Sequence, residues 1–510
     1  MPEGNLATAL HKTVEQIKPL FLELANYGFI NYDTEAKMVT VNQKLDNFVK
    51  SKAGKVDFDN LIFVTDLRKK ELRGYTPEQI EKDPNLSYIQ AEYNVLNEKR
   101  RQMPEFVTLS LSSMELNLKA IDFINISDAQ KTVVFPENKE VILKKDRNFD
   151  FVGWINSGKM EIDALASTFN YREFKFTILK THKSLFRVSP LSPKDGKKPI
   201  AMLSSLNGIK GELFIDHPTN RSGMNSSFTD YPKIKVSRPS YVYYNSEAIF
   251  RGSYDSTRFY YTVDPFYMDS LDNFEESSFR IIGELTSAGI FPKFRENLTI
   301  MHDYSFGFST KAPEGGHDFY GTASKYENKI ILSNNGLQGA GTINFVHSSS
   351  VSKGYTFFPD STVGLAVFTN KPIEQVVQFP DATCDEAWVT YVPRKNLLRA
   401  ASTPLHDISF FNNEAKLIGT AIVKDKGIRG YGLINFKNAN MISDDYEFSR
   451  WNIDADTTSF SLKNEYLEEG EEPIALKTDN VQAHVSFEDR KGEFKSNNGE
   501  ARLDLSLIHI

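Results

Sequence analysis

Cysteine is almost missing from this chain: Cys384 is the single one in 510 residues. That excludes an intramolecular disulfide and any thiolate-built zinc or iron–sulfur cage, while leaving the redox compartment open. Long apolar runs are missing too. Nothing approaches the roughly 20 residues that a membrane-spanning helix needs, and the opening MPEGNLATAL carries neither the basic lead nor the apolar core of a secretory leader. Concentrated positive charge is also lacking. Lys and Arg number 60 against 67 Asp and Glu, for a net charge of −7, and the densest basic stretch, Arg68, Lys69, Lys70 and Arg73, runs into acidic residues. Such a balance argues against a protein built mainly to hold nucleic acid or an anionic membrane, since either needs a concentrated basic surface. No Gly-x-Ser-x-Gly elbow occurs and no nucleophile signature surrounds Cys384, so covalent acyl chemistry has no support.

Aromatics are what the chain has in plenty. Its 38 Phe and 22 Tyr, among many Val, Ile and Thr, favour pleated surfaces over helices. Helical spacing is confined to the start, where Leu6, Leu10, Val14, Ile17, Phe21 and Leu24 recur at steps of three and four. The spacing predicts an amphipathic helix over 5–27, bent at Pro19 and stopped at Gly28. Two short apolar segments, Phe29 to Tyr32 and Met38 to Val41, flank the polar turn Asp33 to Lys37. Helix then hairpin is loosely similar to a winged helix, and residues 1–65 are expected to form a small α+β region. Residues 66–103 are strongly charged and read as a helical linker or insertion, with a start at Pro77 to Ile80 and a polar helix over Leu86 to Arg101.

From Pro104 the period becomes two, as in Val107, Leu109 and Leu111 against Phe106, Thr108 and Ser110. Strands are expected at Ile124–Ser127, Thr132–Phe135, Glu140–Lys144, Phe149–Ile155, Phe174–Leu179, Glu212–Ile215 and Arg258–Val263, with Gly, Pro, Asn, Asp and Ser between them. The strand-rich region is divided at 104–330 and 331–503.

The second part repeats itself. Asn335–Ala366 lies over Lys426–Thr457 without a gap, and identical pairs include Gly336/Gly427, Gly339/Gly430, Gly341/Gly432, Asn344/Asn435, Phe345/Phe436, Ser352/Ser443, Tyr355/Tyr446 and Phe357/Phe448. Glycines precede an alternating strand, a polar turn follows, and an aromatic strand returns. A unit of this kind cannot bury its apolar face alone, so neighbours must stack. A weaker third copy is placed over Gly158–Phe174, which keeps the Gly341-to-Phe357 separation. The end, Asp504 to Ile510, resembles the translation of a sequencing adapter and is set aside as a non-native tail.

Gly427-Ile428-Arg429-Gly430-Tyr431-Gly432, Ser443-Asp444-Asp445-Tyr446-Glu447-Phe448, Asp146-Arg147-Asn148-Phe149-Asp150-Phe151 and the stretch Val263 to Phe274 resemble large uncharacterised β-rich proteins of Bacteroidota, of which this chain looks like a segment. At fold level the pattern is similar to right-handed β-helices and to the stacked-strand troughs of envelope lipid-transfer proteins. The resemblance implies a mainly β, elongated repetitive architecture at the cell envelope or outside the cell, with glycan, lipid or other envelope proteins as partners. It implies no catalytic residue.

Several motifs invite chemistry. Gly153-Trp154-Ile155-Asn156-Ser157-Gly158-Lys159 follows a phosphate-binding loop, but Met160 stands where a magnesium-holding Ser or Thr belongs, so a glycine turn is the better reading. Gly336-x-x-Gly339-x-Gly341 and its repeat lack the dinucleotide order and read as structural corners. His302-Asp303, His317-Asp318 and His406-Asp407 have a metal-binding pairing without its helical scaffold. Asp264, Asp269, Asp272, Glu275 and Glu276 cluster with spacing that matches no calcium loop. Tyr241, Tyr243, Tyr244, Tyr254, Phe259, Tyr260 and Tyr261 form an aromatic patch that suits core packing better than stacking on sugars. The expectation is therefore no catalytic, cofactor or metal site, in a structural or interaction protein of the bacterial envelope. A carbohydrate-binding or carbohydrate-cleaving β-helix is the alternative, and a winged-helix nucleic-acid or partner module at the N-terminus a third reading.

Overall fold

The structure, a computed structural model, describes residues 1–53, 55, 62–64, 90, 94, 107–372, 379–463, 474–499 and 504–505. The helices expected within 66–103 fall almost wholly outside these residues, as do Pro104 and Phe106.

At the N-terminus two helices stand where one was expected, α1 (Glu3–Ala9) and α2 (Val14–Asn26). Local capping chemistry places the break, because Thr13 caps α2 in a reciprocal box. The Gln16 amide donates to Thr13 Oγ1 at 3.3 Å, and the Thr13 amide donates to Gln16 Oε1 at 3.1 Å. His11, at φ +53°, turns the chain just before it, and Pro19 is accommodated inside α2. The expected hairpin follows as β1 (Ile30–Asp33) and β2 (Met38–Val41). A third helix, α3 (Gln43–Lys52), was not expected; its apolar residues are confined to Leu45, Phe48 and Val49 in an otherwise polar sequence. Ala7, Ile17, Phe21, Ile30 and Val39 form one buried cluster.

Beyond the N-terminal region the described residues are mainly strands and their connections, and the chain divides into two compact units: residues 1–241 with 264–279, and residues 242–263 with 280–510. In the first, β3 (Thr132–Pro136), β4 (Phe149–Ser157), β5 (Met160–Asn170) and β6 (Lys175–Val188) pair in chain order. Alternation along β4 buries every second residue, including Phe149, Phe151 and Ile155. These meet Phe169, Phe174 and Phe176, with the Phe149 and Phe169 rings 4.9 Å apart and Phe169 and Phe176 5.1 Å apart. Burying each such ring contributes about 1.5–3 kcal/mol.

In the second unit β7 (Lys325–Ser333), β8 (Gly336–Phe345), β9 (Ser348–Phe357), β10 (Thr362–Asn370), β11 (Ala382–Val392) and β12 (Leu397–Ser402) pair successively. β13 (Ala415–Lys424) pairs with β12, and β14 (Gly427–Phe436), β15 (Ala439–Phe448), β16 (Asn452–Lys463), β17 (Ile474–Ser486) and β18 (Lys491–Ser496) continue the ladder. Asp504–Leu505, within the stretch set aside as a tail, pairs with Leu476 and Lys477 of β17.

Every ladder among the described residues is antiparallel. A right-handed β-helix pairs its coils in parallel, so that part of the expected picture does not describe this chain. The mainly β class with a small N-terminal α+β region does.

The repeat survives as geometry. In β8 and β9, Gly341 faces Ser352 and Gly339 faces Tyr355, so one extra residue bulges between the two pairs. β14 and β15 reproduce the bulge with Gly432 facing Ser443 and Gly430 facing Tyr446. Ser352 Oγ donates to the Leu365 carbonyl and accepts from the Gly354 amide; Ser443 Oγ donates to the Thr457 carbonyl and accepts from the Asp445 amide. A third copy exists, but not where spacing put it. In β4 and β5, Gly153 faces Ala164 and Phe151 faces Ser167, the same step across the same bulge. Gly158 instead opens the two-residue turn at φ +57°, as Val346 (φ +53°) and Lys437 (φ +47°) do in the other copies.

Gly341 is glycine because its strand crowds the one before it: a Cβ there would stand 2.0 Å from the Glu327 carbonyl oxygen. Gly153 and Gly432 meet backbone oxygens at 2.2 and 2.4 Å, and both also hold positive φ, at +144° and +127°.

Candidate functional site

The phosphate-loop pattern lies on the β4–β5 hairpin, with Gly153 inside a strand and Gly158 in the turn, and no helix N-terminus there to receive an anion. Lys159 is already committed. Its Nζ donates to the Phe274 carbonyl and to Glu276 Oε1, both at 2.9 Å, and lies 4.7 Å from the Phe274 ring centre. Burial alone would raise the Glu276 carboxyl, but hydrogen bonds from Lys159 and the Ser189 amide outweigh it and hold it at about 2. Glu276 is one of the five clustered acids. Among the described residues no three His, Cys, Asp or Glu side chains converge as metal ligands.

The His-Asp pairs separate into ordinary contacts. Asp303 accepts from the amide and hydroxyl of Ser305, and His317 stacks on Phe294 with ring centres 5.2 Å apart. Burial pushes the His317 imidazole below its usual value against the pull of Asp318, which is itself paired with Lys325. His406 Nδ1 lies 3.4 Å from a Glu386 carboxylate oxygen. Near it, the buried Cys384 thiol faces the Glu386 and His406 carbonyls, and burial raises it above the usual thiol range. A thiol kept protonated in this way is a poor nucleophile.

Most of the tyrosine patch is core. Tyr244, Tyr254, Phe259 and Tyr261 are fully buried. Tyr244 donates to the Phe306 carbonyl at 2.9 Å; Tyr254 donates to the Phe357 carbonyl at 2.8 Å and accepts from the Leu337 amide at 3.0 Å.

Two features escaped the sequence. One is a row on the face of the second unit opposite its core. Register sets Val351 beside Val367, Leu365 beside Trp388, Trp388 beside Ala401, Ala401 beside Thr420, and Thr420 beside Tyr431. Ile418 faces Leu433, which faces Ile442. Val351, Val367, Trp388, Ile418, Tyr431 and Ile442 are all exposed, Trp388 by 53%. Strict alternation was the signal, since residues out of phase with the buried face must point to the other one.

The other is a cleft of about 620 Å³ in the last strands. Phe436 ends β14, Phe460 and Leu462 lie on β16, Val485 on β17 and Phe494 on β18, while Phe487 opens the turn between the last two. The Phe460 and Phe494 rings are 4.2 Å apart, and Phe436 meets Phe487 edge-on at 5.8 Å. Lys437, Arg490 and Lys491 join the lining, with Glu414 as its one carboxylate. Arg490 holds Glu414 through two guanidinium nitrogens. Lys491 pairs with Glu493 at 2.5 Å, outside the lining. The walls can take an apolar group and the rim an anion. These residues come from four strands and three turns, so no local motif announced them.

No protein-family model matches the chain, and neither a curated protein nor a solved structure matches it.

Proposed function

We propose that this chain is a non-enzymatic structural or interaction protein of the bacterial cell envelope, in which recurring Gly-bulged hairpins form the scaffold and a sheet face makes the contacts. The exposed row centred on Trp388 carries this reading. An apolar stripe crossing several neighbouring strands keeps hydrophobic surface in water, and patches of that kind mark interaction sites. The envelope location rests on the resemblance to β-rich Bacteroidota proteins and stacked-strand troughs.

Fractionating the source bacterium with an antibody to this chain tests the location: recovery with the envelope supports it, and recovery in the cytosol ends it. A photo-crosslinking residue at position 388 tests the face, with adducts expected there and not at the exposed, charged Lys424.

A glycan partner is a second reading, favoured by one observation. Trp388 and Tyr431 are exposed rings on one face with only Ala401 and Thr420 between them in the register, a surface on which sugar rings can stack. Glycan binding lost in Trp388→Ala would select it.

A further inference from the structure

We infer that the cleft between Phe436 and Phe494 is a binding site for an acyl chain ending in an anionic head group. This deepens the interaction reading by giving one site a ligand class, yet it fails or holds independently of the envelope location.

Shape comes first. At about 620 Å³ the cleft falls within the roughly 300–1,000 Å³ that small-molecule pockets span. Its deep walls are apolar: Phe460, Val485 and Phe487 are buried, and Phe436 and Phe494 are half-buried. Leu462, 39% exposed, stands at the mouth. The two ring pairs have no polar tips, unlike the tyrosines of the core, and of the two neutral polar residues in the lining, Asn438 and Ser486, the serine hydroxyl already donates to Asp489. A flexible methylene chain matches such walls without leaving buried polar groups unpaired.

Charge decides the other end. Three cations and one carboxylate belong to the lining, and Arg490 already neutralises that carboxylate. Lys437 has no ion-pair or hydrogen-bond partner among the described residues. The Lys491 pair with Glu493 is exposed on both sides, at 67% and 44%, and exposed pairs of this kind are weak and readily exchanged. Lys437 at the β14–β15 turn and Lys491 at the start of β18 therefore offer two ammonium groups to one head group. A neutral or cationic head would leave that excess unanswered.

Fatty acids and lysophospholipids share this chemistry. Binding is read with the full chain by displacement of a fluorescent fatty acid, using oleate, lysophosphatidylglycerol, oleyl alcohol and lysophosphatidylcholine as competitors. Oleate or lysophosphatidylglycerol should displace the probe saturably, and which one competes better names the head group. Oleyl alcohol and lysophosphatidylcholine should compete at least about tenfold less well. Leu462→Trp, which fills the mouth from an exposed position, should abolish displacement without altering the melting curve, and Phe494→Ala should weaken it about tenfold. The double change Lys437→Glu with Lys491→Glu should weaken oleate while leaving oleyl alcohol unchanged. Absence of saturable binding, equal competition by charged and uncharged chains, or full binding by Leu462→Trp would each overturn the assignment.

Discussion

Lys159 Nζ stands 2.9 Å from Glu276 Oε1, and both side chains are largely withdrawn from solvent. The cation that the sequence offered to a phosphate is thus held by a carboxylate that the sequence offered to calcium. The two residues answer each other's charge.

The pair sets an acid limit on the first unit. The Glu276 carboxyl is held at about 2 against an ordinary 4.5. A depressed carboxyl stabilises the fold fully above its unfolded value, and that contribution disappears as pH falls from 4.5 towards 2. Glu276→Gln should therefore cost on the order of 2–3 kcal/mol near neutral pH and almost nothing near pH 2. Urea unfolding of both proteins across that range checks it; a constant difference would contradict the assignment.

The three bulge glycines should behave alike. Gly153→Val, Gly341→Val and Gly432→Val each drive a side chain into a neighbouring carbonyl oxygen, at a cost on the order of 3 kcal/mol. Thermal melts of the single variants measure this, and an unchanged curve for any one would remove it from the set.

Tyr254 fastens β8 to β9 through a single oxygen. Tyr254→Phe leaves the Leu337 amide and the Phe357 carbonyl without that partner, which should cost about 1–3 kcal/mol. Burial also pushes the phenol up to about 12. Its share of stability is then complete below the ordinary value of 10.0 and fades as pH rises through about 12. Alkaline unfolding of wild type and Tyr254→Phe should converge at that end.

Val346 is a β-branched residue at φ +53° in the β8–β9 turn. Asparagine tolerates that region far better, so Val346→Asn should raise stability by about 1 kcal/mol. A lower melting temperature would show that the valine side chain packs usefully there.

What the sequence revealed follows from how local each signal is. Period-two alternation placed a strand at Phe149–Ile155, which the structure extends to Ser157, and polar turns found the β1–β2 hairpin, because both depend on neighbouring residues. The helix break at His11 was misplaced to Pro19, since a capping box overrode a proline that α2 accommodates. The third repeat was found by counting from Gly158, whereas its true anchor, Gly153, is recognisable only once strands are registered across the bulge. The cleft was invisible for the same reason: Phe460 and Phe494 meet only because β16, β17 and β18 have been laid side by side.

In the ladder from β7 to β18 each strand pairs with the next of the series, so the ladder is built largely from hairpins between neighbouring segments. Loops to be closed are small, and each completed hairpin presents an edge on which the next can form. Folding can thus advance from one end as the polypeptide is delivered, without waiting for distant segments to arrive.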